Sequence, residues 1–360
     1  NEPDSNSVSR ISLGNGSGTV TFGSSSITGA YNDNSNNHIT PRHGVVFSAY
    51  ASGKYGVYAT KIRSSATSLD RLGFLDTYSN NNSNVALPES ITLKGNLPYE
   101  PDQLKITTSN ESGTNIFYAG WRVKANSSDT DRKLFFAKLV ADGTSAPTVY
   151  QTKASDIIGD MGVPAADGGW GRASYSIAAG QTSDSNPIDI LGVVYSAASA
   201  DGNNHYKCKF RAYKIDSSEL TRIGASEIDI DFTTPSNDCR FVNLFWNSHS
   251  KKFMVVWAEG AEPPTNPTPT QAESDAYYFG PTYYAEFKYA TLATPMMTDT
   301  KQVIVTKERQ GLQNKLICNM GASFANSSTP TVIPKISIVT IESSECQTKT
   351  ADMKVDFYKP

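Results

Sequence analysis

The sequence repeats itself at a spacing of roughly 70–80 residues, and this repeat constrains the fold more than any other feature. The clearest pair is SSSITGAYNDNSNNHITPRHGVVFSAYASG (24–53) and SYSIAAGQTSDSNPIDILGVVYSAASADG (174–202). In both, a polar strand pattern precedes a turn rich in Asn and Ser, and an apolar strand beginning Gly-Val-Val follows. Looser copies of this order occupy 104–125, 241–261 and 317–343.

A third strand with alternating apolar and polar residues follows in every copy, which predicts one buried face and one polar face. These third strands are 54–62, 133–141, 206–215, 283–292 and 353–359. A shorter fourth strand follows at 90–95, 147–153, 226–232 and 301–307. The fifth copy has no fourth strand, whereas a spare strand pattern, VSRISL (8–13), precedes the first copy.

We therefore predict an all-β fold, a five-bladed β-propeller of four-stranded antiparallel blades whose last blade is closed by the N-terminal strand. The chain is expected to be a single domain, 1–360, with blades near 21–95, 96–155, 165–232, 236–307 and 310–360 plus the closing strand 8–13. A pair of β-sandwiches is the alternative. It predicts a central linker and a Cys…Trp…Cys pattern, and the sequence has neither.

Composition excludes several classes of partner. The net charge is −3 and only 19% of the residues are charged, so no overall basic field exists for nucleic acid. No apolar run is long enough to span a bilayer, so we predict no membrane insertion. Oligomeric state is left open.

The cysteines and the glycosylation sequons indicate an extracellular or cell-surface protein. In the predicted register, the pairs Cys208–Cys239 and Cys318–Cys346 are geometrically sensible disulfides, although four cysteines allow three connectivities. We also expect a signal peptide to have been removed. Sequons for N-glycosylation, each in a polar stretch, begin at Asn15, Asn81, Asn110, Asn126 and Asn326.

On this repeat architecture the chain resembles five-bladed β-propeller proteins, a group that includes tachylectin-type lectins and furanoside-cleaving glycosidases. The resemblance implies that a glycosidase of this kind would carry carboxylates on or beside the first, innermost strand of its blades. The innermost strands predicted here contain no Asp or Glu, although Asp102, Asp167 and Asp238 lie just upstream of three of them. We predict no catalytic residues, and we favour a binding protein over an enzyme.

Basic residues stand at or just before four of the predicted innermost strands, and the loop ADGGWGR (166–172) adds an exposed aromatic side chain. Such groups bind carboxylates, sulfates and sugar rings. The candidate ligand-binding residues are Lys105, Arg172, Arg240, Lys315 and Trp170, with structural ion pairs and inter-blade packing as the alternatives.

The predicted function is therefore a secreted or cell-surface binding or adhesion protein that recognises a glycan, with acidic glycans among the candidates, or a protein partner. The first alternative is an extracellular carbohydrate-active enzyme, and the second is a structural subunit of a surface assembly. We predict no cofactor and no metal site. A single Asp-x-Asp, formed by Asp129 and Asp131, leaves calcium as an alternative.

Overall fold

A computed structural model describes the regular elements of the chain and some of the segments that join them. The described residues are 7–13, 20–26, 46–47, 55–60, 71–78, 91–92, 101–109, 115–124, 132–141, 148–159, 161, 174–183, 185–198, 206–224, 228–230, 237–261, 282–289, 295–297, 302–305, 316–325, 335–343 and 352–358. They fall into two compact units, Asn1–Ser127 with Phe135–Ala154, and Ser128–Leu134 with Ser155–Pro360.

The first part of the chain forms an N-terminal hairpin and two four-stranded antiparallel sheets, sheet I and sheet II. The hairpin consists of β1 (Ser7–Leu13) and β2 (Val20–Ser26). Sheet I contains β3 (Val46–Phe47), β4 (Tyr55–Thr60), β5 (Arg71–Tyr78) and β6 (Ile91–Thr92), and sheet II contains β7 (Pro101–Thr108), β8 (Asn115–Lys124), β9 (Arg132–Ala141) and β10 (Thr148–Gln151).

Three more antiparallel sheets follow a single 3-10 turn at Ala154–Asp156. Sheet III contains β11 (Tyr175–Gln181), β12 (Asp189–Ala198), β13 (Tyr206–Asp216), β14 (Glu219–Arg222) and β15 (Ile228–Asp229). Sheet IV contains β16 (Asn237–Asn247), β17 (Lys252–Ala261), β18 (Thr282–Tyr289), β19 (Pro295–Met297) and β20 (Gln302–Val305). Sheet V contains β21 (Leu316–Ala325), β22 (Lys335–Ser343) and β23 (Asp352–Tyr358).

The all-β prediction is confirmed for the described residues, whose only helical element is the 3-10 turn. Sheets I to V are consecutive antiparallel meanders, which is the arrangement of propeller blades. The predicted fourth strands 226–232 and 301–307 contain β15 and β20, and a short additional strand precedes each of them. As a result β14 and β15 both pair with β13, and β19 and β20 both pair with β18. A closed ring of five blades and a single domain remain predictions.

The predicted closing strand, 8–13, stays a prediction. Residues 8–13 lie in β1, which pairs with β2 in the register Ser7 to Ser26, within the first unit. Sheet V, in the second unit, consists of β21, β22 and β23. Only six residues, GNGSGT, separate the two hairpin strands, and three of them are glycine.

In the first unit, aromatic side chains of sheet II form the described core. Trp121 and Phe135 stack with centroids 6.0 Å apart and planes 7° apart. Thr152 holds β10 against β9, because its hydroxyl accepts a hydrogen bond from the N–H of Phe136 at 2.7 Å and donates to its carbonyl at 2.8 Å. The predicted alternation of a buried and a polar face is wrong for β9, because the consecutive residues Phe135, Phe136, Ala137 and Lys138 are all buried.

In the second unit, the two faces of sheet IV pack against different neighbours. One face carries Trp246, Phe253 and Trp257 into a core shared with Phe210 of sheet III. The other face packs against Ile336 and Ile338 of sheet V. A sheet buried on both faces is what a blade between two other blades requires.

Side chains also connect the first strands of these sheets. The Ser174 hydroxyl, next to β11, accepts a hydrogen bond from the N–H of Val242 in β16 at 3.3 Å, and the Ser176 hydroxyl accepts from the N–H of Leu244 at 3.1 Å. In the same direction, Asn243 Oδ1 accepts from the N–H of Ala322 in β21 at 3.3 Å. The first strands of sheets III, IV and V therefore follow one another side by side.

Candidate functional site

Ionisable side chains are buried at the end of sheet IV where β16 begins and β17 finishes. Asp238 is fully buried, and Arg240 and Glu259 are each 1% exposed. The register pairs Cys239 with Glu259 and Arg240 with Ala258, so the three ionisable residues lie within three successive positions of the ladder. A charged group costs free energy when it is removed from water, and so many in one place require specific partners.

Asp238 has such a partner in the preceding sheet. Its Oδ1 atom accepts a hydrogen bond of 2.8 Å from the backbone N–H of Tyr206, the first residue of β13. A buried hydrogen bond to a carboxylate contributes about 1.5–3 kcal/mol. Asp238 therefore helps to hold sheet IV against sheet III.

Two further links adjoin Asp238. Cys239 forms a disulfide with Cys208 of β13, with the Cα atoms 5.4 Å apart, which confirms that predicted pair. The Ser196 hydroxyl donates a hydrogen bond of 2.7 Å to the carbonyl of Cys239. In the other predicted pair, Cys318 is the third residue of β21, and Cys346 lies outside the described residues.

Glu259 lies on the face of sheet IV that packs against sheet III. Directly paired residues of an antiparallel ladder share a face, and its partner Cys239 is bonded to Cys208 of sheet III. The indole N–H of Trp257 donates to Glu259 Oε1 at 3.0 Å. Asp238 precedes Cys239 by one residue and therefore alternates with it in the pleat, although its Oδ1 atom reaches the N–H of Tyr206 at the start of β13.

A β-bulge follows Arg240. Phe241 and Val242 together oppose the single residue Trp257, and pairing resumes between Asn243 and Val256. Phe241 has a φ of 52°. The left-handed region costs a bulky side chain of the order of 1–3 kcal/mol, so neighbouring contacts must hold it. Bulges of this kind change the direction of side chains and are frequent beside active sites.

The same irregularity recurs in the first strands of two other sheets. In sheet II, the register shifts between Asp102 and Lys105, and Trp121 lies opposite the extra residue. In sheet V, it shifts between Ile317 and Asn319. The bulge therefore recurs in the first strands of sheets II, IV and V, whereas β11 of sheet III pairs with β12 without a shift. In sheets II and IV a buried tryptophan lies opposite it. The recurring Trp121 and Trp257 are visible in the sequence, but the bulges themselves are not.

The start of β16 also corrects the sequence prediction that innermost strands contain no acid. β7 begins at Pro101 and includes Asp102, and β16 begins at Asn237 and includes Asp238. In both strands the apolar run covers only the later part, so each strand begins earlier than the sequence predicts. The prediction that the protein is not an enzyme rested on innermost strands without acids, and β7 and β16 do contain one.

The candidate ligand-binding residues are not brought together among the described residues. Arg240 is buried, in register with Ala258 on the face that packs against sheet V, whereas Lys105 is exposed, in the other compact unit. Arg172, Lys315 and Trp170 lie outside the described residues, as do Asp129 and Asp131, and so do the sequons at Asn15, Asn81, Asn110, Asn126 and Asn326. Their predicted roles therefore remain predictions.

In the described part of the chain, no group of three or more His, Cys, Asp or Glu side chains is arranged to hold a metal ion. No helix there is long and apolar enough to cross a membrane.

No protein-family model matches the chain, and no curated protein matches it. Among solved structures, it is similar to the α-L-arabinofuranosidase of Fusarium graminearum in complex with arabinobiose, with 10% identity, 86% of this chain and 80% of that chain covered, and a TM-score of 0.45. The endo-arabinase of Bacteroides thetaiotaomicron has 10% identity, covers 83% and 88% of the two chains, and has a TM-score of 0.35. The α-L-arabinofuranosidase of Lactobacillus brevis has 12% identity, covers 70% and 74%, and has a TM-score of 0.33.

These three proteins are named as arabinofuranosidases or an arabinase, and this finding contradicts the predicted binding or adhesion protein. The lectin-type resemblance is likewise not supported.

Proposed function

We propose that this chain is an extracellular carbohydrate-active enzyme that hydrolyses glycosidic bonds, built as a five-bladed propeller. The observation that carries the proposal is that two carboxylates, Asp238 and Glu259, are buried at the same end of sheet IV, where β16 begins and β17 finishes. These two residues are the candidate acid and base or nucleophile.

The chemistry of glycoside cleavage requires such a pair. One carboxylic acid protonates the leaving oxygen while a carboxylate on the other side attacks the sugar or activates water, at separations of about 5–9.5 Å depending on the stereochemical course. Asp238 and Glu259 are diagonal neighbours on adjacent strands, because Asp238 pairs with Gly260 and Glu259 pairs with Cys239.

The environments of the two carboxylates differ, as an acid and base pair requires. Asp238 accepts a backbone N–H, whereas Glu259 lies against the indole of Trp257. We assign Glu259 as the proton donor and Asp238 as the base or nucleophile. Among the candidate ligand-binding residues, Arg172, Lys315 and Trp170 are proposed as substrate contacts.

The extracellular location rests on the Cys208–Cys239 disulfide, since such bonds form and persist in oxidising compartments. A glycan is the proposed partner, in the role of substrate. Polysaccharides and glycoproteins are abundant outside the cell, and the proposed location and the proposed reaction are therefore consistent.

The test is a hydrolysis screen of the purified chain against plant and microbial polysaccharides and 4-nitrophenyl glycosides, with furanosides included. On the best substrate, Glu259→Gln should lower kcat by about 10²–10⁴-fold, the usual contribution of general acid catalysis. Glu286→Gln is the matched control, since Glu286 is a second buried glutamate of sheet IV, and Lys252 Nζ lies 2.5 Å from its Oε2 atom.

Release of no sugar from any member of the screen, with the protein folded by near-ultraviolet circular dichroism, would overturn the proposal. An equal loss of activity in Glu259→Gln and Glu286→Gln would overturn the assignment of Glu259.

A further inference from the structure

Asn243 is the first residue of β16 to pair normally after the bulge, and both the nitrogen and the oxygen of its side-chain amide form hydrogen bonds. Its Nδ2 atom donates a hydrogen bond of 2.8 Å to the carbonyl of Phe241 inside the bulge. Its Oδ1 atom accepts the N–H of Ala322 in β21 at 3.3 Å. One side chain therefore connects the bulge of sheet IV to the first strand of sheet V.

This arrangement compensates for what a bulge removes. Two residues of β16 oppose one residue of β17, so part of the backbone in the bulge has no position in the ladder. Asn243 provides a donor for the carbonyl of Phe241, and Ser174 of the preceding segment provides an acceptor for the N–H of Val242. The bulge is thus held from its own strand and from sheet III.

The bulge directly follows the buried ionisable residues. Asp238 lies three residues before Phe241, and Arg240 lies immediately before it. Phe241 is buried against sheet V with a φ of 52°. If its backbone relaxed to negative φ, the strand upstream would rotate, and the Asp238 carboxylate would turn away from the N–H of Tyr206.

We propose that Asn243 is a positioning residue, which holds the left-handed backbone of Phe241 and thereby the orientation of Asp238 at the proposed active site. The catalytic part of this inference rests on the proposed function. The structural part, that Asn243 secures both the bulge and the N–H of Ala322, stands independently of it.

Three variants separate the two ends of the amide. Asn243→Ala removes both hydrogen bonds, whereas Asn243→Asp keeps an acceptor for Ala322 and removes the donor to Phe241. Asn247→Ala is the matched control, because this asparagine of the same strand bonds only within its own turn, to the N–H groups of His249 and Ser250.

The readouts are amide hydrogen exchange at Ala322 and kcat and KM on the substrate found in the screen. Exchange at Ala322 should rise about tenfold or more in Asn243→Ala and remain near the wild-type rate in Asn243→Asp. Both variants should lower kcat by about tenfold with KM within about twofold, since a displaced catalytic group affects the reaction step. Asn247→Ala should change neither quantity.

A Phe241→Gly background provides the rescue, because glycine adopts positive φ without strain. In that background, replacing Asn243 should have a much smaller effect on kcat than in the wild type. An undiminished effect, or unchanged Ala322 exchange in Asn243→Ala, would overturn the proposal. If Asn243→Ala fails to fold, Asn243→Asp replaces it in this test. The loss of kcat caused by Asn243→Asp should then be much smaller in the Phe241→Gly background than in the wild type.

The two proposals fail in different ways. A wild-type chain that hydrolyses nothing sinks the proposed enzyme. The proposed role of Asn243 in the bulge can still be tested without activity. One measurement is amide hydrogen exchange at Ala322, and the other is the free energy of unfolding of the single and double variants at Phe241 and Asn243. Unchanged exchange together with additive free energies would overturn the proposal.

Discussion

The carboxylate of Asp238 accepts the backbone N–H of Tyr206 across 32 residues of sequence, at 2.8 Å. The contact joins the first residue of β13 to the start of β16 and lies one residue from the disulfide. It holds one of the two proposed catalytic carboxylates, so the stability and the chemistry of this end of sheet IV depend on the same atoms.

Asp238→Asn is expected to destabilise the fold by about 1–3 kcal/mol, because a charge-assisted hydrogen bond becomes a neutral one in a buried position. Urea unfolding monitored by tryptophan fluorescence measures this loss. Asp216→Asn, an exposed aspartate of β13, is the control and should change the midpoint very little. An equal change in both variants would show that the contact with Tyr206 contributes nothing specific.

The Cys208–Cys239 disulfide is expected to resist reductant in the folded protein, since both sulfur-bearing residues are fully buried and thiol exchange requires access. Alkylation with mass spectrometry, after dithiothreitol with and without urea, measures the protection. Cys208→Ser with Cys239→Ser should cost about 3–4 kcal/mol for a loop of this length. Rapid reduction without urea would contradict the buried position.

Gly192→Ala is expected to destabilise the fold by about 1–3 kcal/mol through overpacking. A Cβ atom at Gly192 would lie 2.5 Å from the Phe253 ring, which also closely approaches Gly180. Gly159→Ala is the matched control, because nothing lies within 4 Å of a Cβ atom there. Thermal unfolding by circular dichroism compares the two, and similar melting temperatures would refute the close contact between sheets III and IV.

Tyr213 is expected to make stability fall in alkaline solution. Burial, opposed by the nearby Arg211, raises the pKa of Tyr213 to about 12, and its hydroxyl donates to the carbonyl of Asp156 at 2.9 Å. Because the folded pKa exceeds the unfolded value near 10, the stabilisation is complete below pH 10. It is lost as pH rises toward 12, by on the order of 2 kcal/mol.

The measurement is the free energy of unfolding from pH 9 to 12 for the wild type and for Tyr213→Phe. Subtraction removes the other titrating groups, so the difference between the two proteins should shrink as pH rises. A difference independent of pH in this window would contradict the buried, neutral phenol.

The strand pattern was predictable because it depends on neighbours in sequence. Alternation in YKCKFRAYKI indicated β13, and the same pattern in KLFFAKLVA indicated β9, since a period-2 pattern needs no knowledge of the partner strand. The pairing of Cys208 with Cys239 was also predictable once the repeats were aligned, because equivalent strand ends of successive blades are neighbours.

The bulge, the acid content of β7 and β16 and the pairing of β1 were not predictable in this way. An extra residue at Phe241 is defined only against β17, and Asp238 belongs to the strand only because of that register. The strand count predicts that 8–13 closes the last blade, and it does not reveal that β1 pairs with β2 across a short glycine-rich sequence.

The sequence by itself therefore determined the class of the fold, the repeat, and one of the two cysteine pairs, because these follow from local alternation and from spacing. Only the tertiary structure decided which charged groups are buried together. Asp238, Glu259 and Arg240 are buried at the same end of sheet IV because two strands align in one register and the neighbouring sheets pack against both faces. That alignment is set by the summed packing of sheets III, IV and V, and no local pattern encodes it.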